Sequence, residues 1–295
     1  MAKEIYVPSA RRWMARHVYQ TLSRLAPGFF AKQLTNPCFL IGCPRSGTSL
    51  IDLLLATHPE IVSYPSEAND LWHPQAFPWR TMAKATDLPP IWKDAHGFTQ
   101  FSLEKRSVQE ETHLRATLGA FQYRHLQKHL IQKCTLIALM TPYVLKICPA
   151  AKFIHIVRDG RAVALSWARR QRRDIDQSPA VYQKRGLDLS THELLRLCAK
   201  SWQDHIEAIA HDCTSLRLVE RQAYLEVQYE DFCADPRTHL DAMAQFIGVS
   251  AGNFSPAVYE DVESKNYKFR ESFSERDFED VMEMIGPTLA AKGYN

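Results

Sequence analysis

No apolar run in this 295-residue sequence approaches the roughly 18 residues that a membrane-spanning helix requires. The opening stretch, Met1-Ala-Lys-Glu-Ile-Tyr6, lacks the apolar core of a secretory leader. Both absences predict a soluble, cytoplasmic chain. Neither sign of charge dominates: 36 Lys and Arg against 33 Asp and Glu leave +3, so bulk electrostatics do not argue for a nucleic-acid or membrane partner, and no nucleic acid and no membrane span are expected. No two of the seven cysteines form a C-x-x-C pair, and their number is odd. That argues against a disulfide framework or a zinc knuckle and fits reduced thiols. His125 and His129 stand four residues apart without a third ligand, so a polar helix face is expected there and no metal site.

What the chain does contain is organised around Cys38-Phe-Leu-Ile-Gly-Cys-Pro-Arg-Ser-Gly-Thr-Ser-Leu50. The uncharged run Cys38 to Ile41 predicts a buried parallel strand, Gly42 to Gly47 a turn-rich loop, and Thr48 onward a helix through Ala56. A glycine-bracketed loop that feeds a helix aims backbone N–H groups at one point, where an anion binds. A Walker A loop places a lysine before its last hydroxyl residue. Here Gly42, Gly47 and Ser49 keep the spacing, but Thr48 occupies the lysine position and the positive charge sits at Arg45. Triphosphate hydrolysis is therefore disfavoured. The plainer alternative is a generic strand–turn–helix with an incidental arginine.

A second strand–turn–helix runs through Ala151-Lys-Phe-Ile-His-Ile-Val-Arg-Asp-Gly-Arg-Ala-Val-Ala-Leu-Ser166. Phe153 to Val157 predicts a strand, Gly160 permits the turn, and Ala162 to Arg170 predicts a helix. Folding back along that helix aims Arg158 and Ser166 at a single phosphate. Ile61-Val62 predicts a further short strand, and Glu67 falls just past its end, on the rim where ligands of parallel sheets sit. A solvated loop carboxylate is the other reading of Glu67. The Trp-, Pro- and Phe-rich residues 68–104 suit either a lid over a pocket or a loop that merely covers the core.

The remaining elements follow from periodicity and breakers. Residues 10–30 predict one basic amphipathic helix ended by Pro27-Gly28, packed on its own domain or laid on an acidic membrane surface. Residues 105–133 predict one helix, 171–190 a polar loop, 191–212 a helix, and Tyr224 to Tyr229 a strand. Asp235-Pro236 starts a helix that ends near Gly248, and residues 277–289 form the last one. The predicted fold is a single α/β, P-loop-like domain at 36–295, a parallel sheet flanked by helices on both faces, with a helical extension at 1–35.

Pro44-Arg-Ser-Gly-Thr-Ser49 resembles the 5′-phosphosulfate loop of the sulfotransferases that use PAPS (3′-phosphoadenosine 5′-phosphosulfate). Its form is that of the tyrosylprotein sulfotransferases and many bacterial sulfotransferases. Arg158 through Ser166 resembles the same family's 3′-phosphate motif, R-D-x-R-x-x-x-x-S. Arg170 matches a further arginine of the tyrosylprotein branch, and Val227 to Phe232 resembles its V-x-Y-E-D-L segment. The resemblance runs from about Phe39 to the end of the chain. It implies PAPS as co-substrate and PAP as product, without a metal. It implies that Arg45, Ser46, Gly47, Thr48 and Ser49 cradle the 5′-phosphosulfate, with Arg45 neutralising the leaving group. Arg158, Ser166 and Arg170 would hold the 3′-phosphate, and Glu67 would be the general base. Tyr229 and Lys268, with Arg270, would complete the cofactor site; simple packing or a solvated basic turn explains those three as well. His73 and His96 are reserve bases.

One departure stands out. The family often reads K-T-P or K-D-P where this chain has Met140-Thr-Pro142, so a charge-stabilising lysine is missing there and Lys146 is the nearest stand-in. The implied function is sulfuryl transfer from PAPS to a hydroxyl of a small-molecule acceptor. The alternatives are a P-loop kinase or NTPase, and an inactive PAP- or PAPS-binding protein. The acceptor and the oligomeric state stay open, a homodimer included.

Overall fold

A computed structural model describes residues 9–65, 67, 69–72, 107–177, 179–184, 188–255, 259, 262–264 and 266–294, with residues 9–16 described as backbone only. His73, His96 and most of the aromatic-rich stretch lie outside the described residues. The first half of the chain contributes α1 (Ser9–Leu25), α2 (Pro27–Gln33), β1 (Cys38–Ile41), α3 (Thr48–Leu55), β2 (Ile61–Ser63), α4 (Asn69–Trp72), α5 (Val108–Arg124), β3 (His129–Lys133) and α6 (Thr141–Ile147). The second half contributes β4 (Lys152–Val157), α7 (Gly160–Gln177), α8 (Pro179–Lys184), α9 (Thr191–Ser215), β5 (Tyr224–Gln228), α10 (Tyr229–Ala234), α11 (Pro236–Ile247), α12 (Tyr267–Arg270) and α13 (Glu275–Ala291).

The five strands form one parallel sheet in the order β2-β3-β1-β4-β5. Alternate residues of a strand point to opposite faces. Phe39, Ile41 and Phe153 accordingly join a core with Leu114, Leu118 and Phe121 of α5, while Cys38, Leu40, Ile154 and Ile156 join a second core with α3 and α11. Every residue of β1 is buried, which is why its sequence is a continuous apolar run rather than an alternating one. A third core packs α7 against α9 and α13 around Trp167, Trp202 and Ile285. Three helices start with the same reciprocal cap, Ser107 with Glu110, Ser190 with Glu193 and Ser274 with Asp277, each satisfying two N–H groups that a helix end leaves open.

The predicted single helix over 105–133 is instead α5, a turn and β3. Leu126 and Gln127 take φ of 57° and 59°, a conformation no helix continues through, and the chain re-enters the sheet as its second strand. The helix predicted over 10–30 is two helices, because Pro27 sits in the first turn of α2 rather than only closing α1. The polar stretch 171–190 is not simply a loop: α7 runs on to Gln177, supported by pairs of Arg170 with Asp174 and Arg172 with Asp176, four residues apart. No described helix is long and apolar enough to cross a membrane.

Helix α2 lies directly on α5. A Cβ at Gly119 would stand 1.9 Å from the Phe30 carbonyl oxygen, so only glycine admits this approach. Gly119→Ala should destabilise the protein by about 1–3 kcal/mol despite alanine's better helix propensity. The check is a fall in the urea midpoint; an unchanged or higher midpoint would show that α2 does not need this contact.

Candidate active site

All five strands end on one edge of the sheet, and each is followed there by a polar or charged group in strand order. Glu67 lies four residues past β2, Lys133 is the last residue of β3, the Gly42–Gly47 loop follows β1, Arg158 follows β4, and Tyr229 follows β5. The register fixes their relative heights. Leu40 pairs with Lys133 and Ile41 with His155, so the lysine and the arginine flank the loop on either side.

The loop is held in an unusual backbone shape. Gly47 has φ of 96°, and a Cβ there would stand 2.4 Å from the Tyr229 ring. Arg45 takes φ of 75°, a left-handed conformation that costs a residue with a side chain about 1 kcal/mol or more. The Arg158 Nη1 donates to the Arg45 carbonyl oxygen at 3.0 Å, and the Arg45 Nε donates to Ser166 Oγ at 3.2 Å. The two motifs, 113 residues apart between their arginines, thus support one another. Ser46 is buried, and its hydroxyl has no hydrogen-bond partner among the described residues. The first N–H groups of α3 have no intrahelical partner either. An anion with several oxygens satisfies all of these at once.

Beside the loop is a cavity of about 380 Å³ lined by Arg45, Arg158, Arg169, Arg170, Arg173 and Lys268, together with Ser166 and Tyr229. The arginines of α7 reach it because Ser166, Arg169, Arg170 and Arg173 recur at helical spacing on one face. Arg170 is also paired with Asp174, and Arg169 donates to Ser272 Oγ at 2.7 Å. Burial, then the neighbouring guanidinium groups of Arg170, Arg158 and Arg173, hold Arg45 below the ordinary arginine pKa. Such a positive field is relieved by a polyanion. The Arg158 guanidinium also lies 4.5 Å from the centre of the Tyr229 ring. Arg270 does not share this cavity; it lines a neighbouring one with Asp159 and Glu230.

Lys133 makes the second cluster. Its ammonium pairs with the Glu67 carboxylate and donates to Ser49 Oγ at 3.1 Å. It therefore joins the helix that follows the Gly42–Gly47 loop to the Glu67 carboxylate past the neighbouring strand. Met140 is fully buried in the core. Lys146, the nearest stand-in by sequence, is mostly exposed and pairs with Glu111 at 2.7 Å, so it is not part of this constellation.

A sequence model described as the sulfotransferase family matches residues 37–252. The chain belongs to the sulfotransferase family. It is 26% identical over 218 residues to protein-tyrosine sulfotransferase 2 of Gallus gallus, covering 72% of this chain and 51% of the relative. It is 25% identical over 187 residues to omega-hydroxy-beta-dihydromenaquinone-9 sulfotransferase Stf3 of Mycobacterium tuberculosis, covering 63% and 45% of the two chains. The chain thus spans about half the length of these curated relatives. The crystal structure of sulfotransferase STF9 from Mycobacterium avium superposes with a TM-score of 0.57 at 14% identity, covering 95% of this chain and 82% of that one, which supports the fold.

A lysine does stand at this edge of the sheet, seven residues before Met140, at Lys133. It was hidden by reading 105–133 as one helix: at a helix end Lys133 is a surface charge, whereas at the end of a parallel strand it is on the ligand rim. A strand reading of Leu130-Ile-Gln-Lys133 would have exposed it. Arg173 lies beyond the predicted helix end at Arg170, and Arg169, inside that helix, belongs to no motif that marks it. Gly47→Ala should shift the loop away from Tyr229, weaken phosphate-type ligands at least about tenfold, and leave the fold intact by circular dichroism. Undiminished affinity of this variant for PAP would mean the loop backbone is not the cradle.

Proposed function

We propose that this protein transfers a sulfuryl group from PAPS to a hydroxyl of a small-molecule acceptor, releasing a sulfate ester and PAP. The observation that carries the reading is the meeting of Arg45 and Arg158, from two distant phosphate motifs, at one basic cavity. A ligand with phosphate groups at both the 5′ and 3′ positions of one nucleoside needs such a double grip, and a nucleoside triphosphate does not. Residues 36–295 would form the sulfotransferase domain and residues 1–35 a helical extension, tied to it by Ser23 with Thr117 and Thr35 with Gln122.

The residues divide by role. Arg45, Ser46, Gly47, Thr48 and Ser49 would take the 5′-phosphosulfate, using the α3 N–H groups and the unpartnered Ser46 hydroxyl. Arg158, Ser166 and Arg170 would take the 3′-phosphate, with Tyr229 and Lys268 closing the cavity. The donor supplies an activated sulfuryl group on a phosphate leaving group. Glu67 is placed to accept the acceptor's hydroxyl proton. Lys133, beside both Glu67 and Ser49, is placed to offset negative charge that develops toward the loop. Most of the rate then comes from positioning and charge stabilisation.

The small-molecule acceptor is supported by the menaquinone-directed relative, and the protein-tyrosine relatives make a peptide tyrosine the competing acceptor. A panel of phenols, alcohols and tyrosine peptides with labelled PAPS separates the two. PAP should raise the melting temperature while ATP with magnesium does not; the reverse result would favour a kinase or NTPase. Arg45→Ala and Arg158→Ala should each weaken PAP at least about tenfold, as expected for a lost charged hydrogen bond. Glu67→Gln and Lys133→Ala should bind PAP nearly normally and lose about a hundredfold in turnover. PAP binding without turnover on any acceptor would point to an inactive binding protein.

A further inference from the structure

The 3′-phosphate arginine is oriented by groups that neither motif contains. Arg158 donates from Nε to Asn266 Oδ1 at 2.9 Å, and Asn266 Nδ2 donates to Glu230 Oε1. Glu230 Oε1 also accepts from the Asp159 N–H at 3.1 Å, and its Oε2 accepts from the Tyr294 hydroxyl at 2.7 Å. We propose that Asn266, Glu230 and Tyr294 are positioning residues that aim the Arg158 guanidinium at the donor's 3′-phosphate. The proposal rests on the donor reading above and adds to it a chain of groups that runs from the start of α10 and the residue before α12 to the residues after α13.

Three physical features support a positioning role. A carboxamide presents an oxygen on one side and an NH₂ on the other, and only the oxygen suits a guanidinium. The Glu230 carboxylate, an acceptor only, selects the orientation in which Asn266 turns its NH₂ to Glu230 and its oxygen to Arg158. Second, the neutral amide separates Arg158 from Glu230. A direct arginine–carboxylate pair would occupy the guanidinium fork and compete with phosphate, whereas the amide orients Arg158 and leaves its charge unneutralised. With Nε on Asn266 and Nη1 on the Arg45 carbonyl, Nη2 has no partner among the described residues and is left for a ligand. Third, Tyr294 is largely buried, and burial, reinforced by the Glu230 charge, pushes its hydroxyl pKa upward, so it stays a donor to Glu230. Its segment is fastened independently by Gln228 Nε2 on the Lys292 carbonyl and by Lys292 on Glu226.

The test compares PAP with adenosine 5′-phosphate, which lacks the 3′-phosphate, by calorimetry on the full chain. Asn266→Ala and Tyr294→Phe should weaken PAP, the first about tenfold, while adenosine 5′-phosphate stays within about twofold of wild type. With PAPS, KM should rise and kcat should hold. In an Arg158→Ala background, Tyr294→Phe should have no further effect on PAP. Tyr294→Phe removes a single oxygen, so it keeps the comparison available if Asn266→Ala lowers stability. Equal weakening of both nucleotides, or PAP binding indifferent to these variants, would overturn the relay alone. A wild-type protein that does not bind PAP would overturn the donor reading, and the relay with it.

Discussion

In a parallel sheet every strand delivers its last residue to the same edge, and here that constraint assembles the whole site. β1 lies between β3 and β4, and its register against them places Lys133 and Arg158 on either side of the loop that follows Ile41. The two outer strands add Glu67 and Tyr229 at the ends of the row. A shift of one residue in either central pairing would turn alternate side chains into the wrong core and move these groups by about 3.3 Å along the strand. The buried alternation of Cys38, Phe39, Leu40 and Ile41 between two hydrophobic cores is what holds that register.

The same edge gathers an excess of positive charge, and among the described residues no carboxylate lines the arginine cavity itself. Arg45 and Arg158 are joined through a backbone carbonyl, Arg158 leans on an aromatic face, and Arg170 is balanced by Asp174 at the cavity's margin. The left-handed backbone at Arg45 and the buried hydroxyl of Ser46 are local costs that a bound anion would offset. These local costs are the physical basis for expecting stability to rise with a bound anion.

The chemistry divides across the sheet. On the β4–β5 side the groups grip: arginines, a serine and an aromatic ring. On the β3–β2 side stand Lys133 and Glu67, a cation and a carboxylate joined to the loop through Ser49. In the proposed reading this division would separate donor binding from activation of the acceptor. Residues that tune acceptor preference are then expected near Glu67, away from the arginine cavity.

Short-range pattern was enough to place the loop, its two glycines, the second arginine motif and four of the five strands, because each is written in adjacent residues: an apolar run, a turn residue, a charged residue at the end. It was not enough for β3, where Leu114 to Leu130 keeps a helical rhythm across a turn made by two left-handed residues, Leu126 and Gln127, that carry no glycine to announce them. With β3 misread, Lys133 had no reason to belong to the site. Asn266, Glu230 and Tyr294 are likewise invisible in sequence, since their meaning depends on a contact between α12, the start of α10 and the residues after α13. The sequence by itself determined which groups are candidates for anion binding, through local loop and helix geometry. The tertiary structure decided which of them stand together, because only strand order and register bring residues a hundred positions apart within hydrogen-bonding distance.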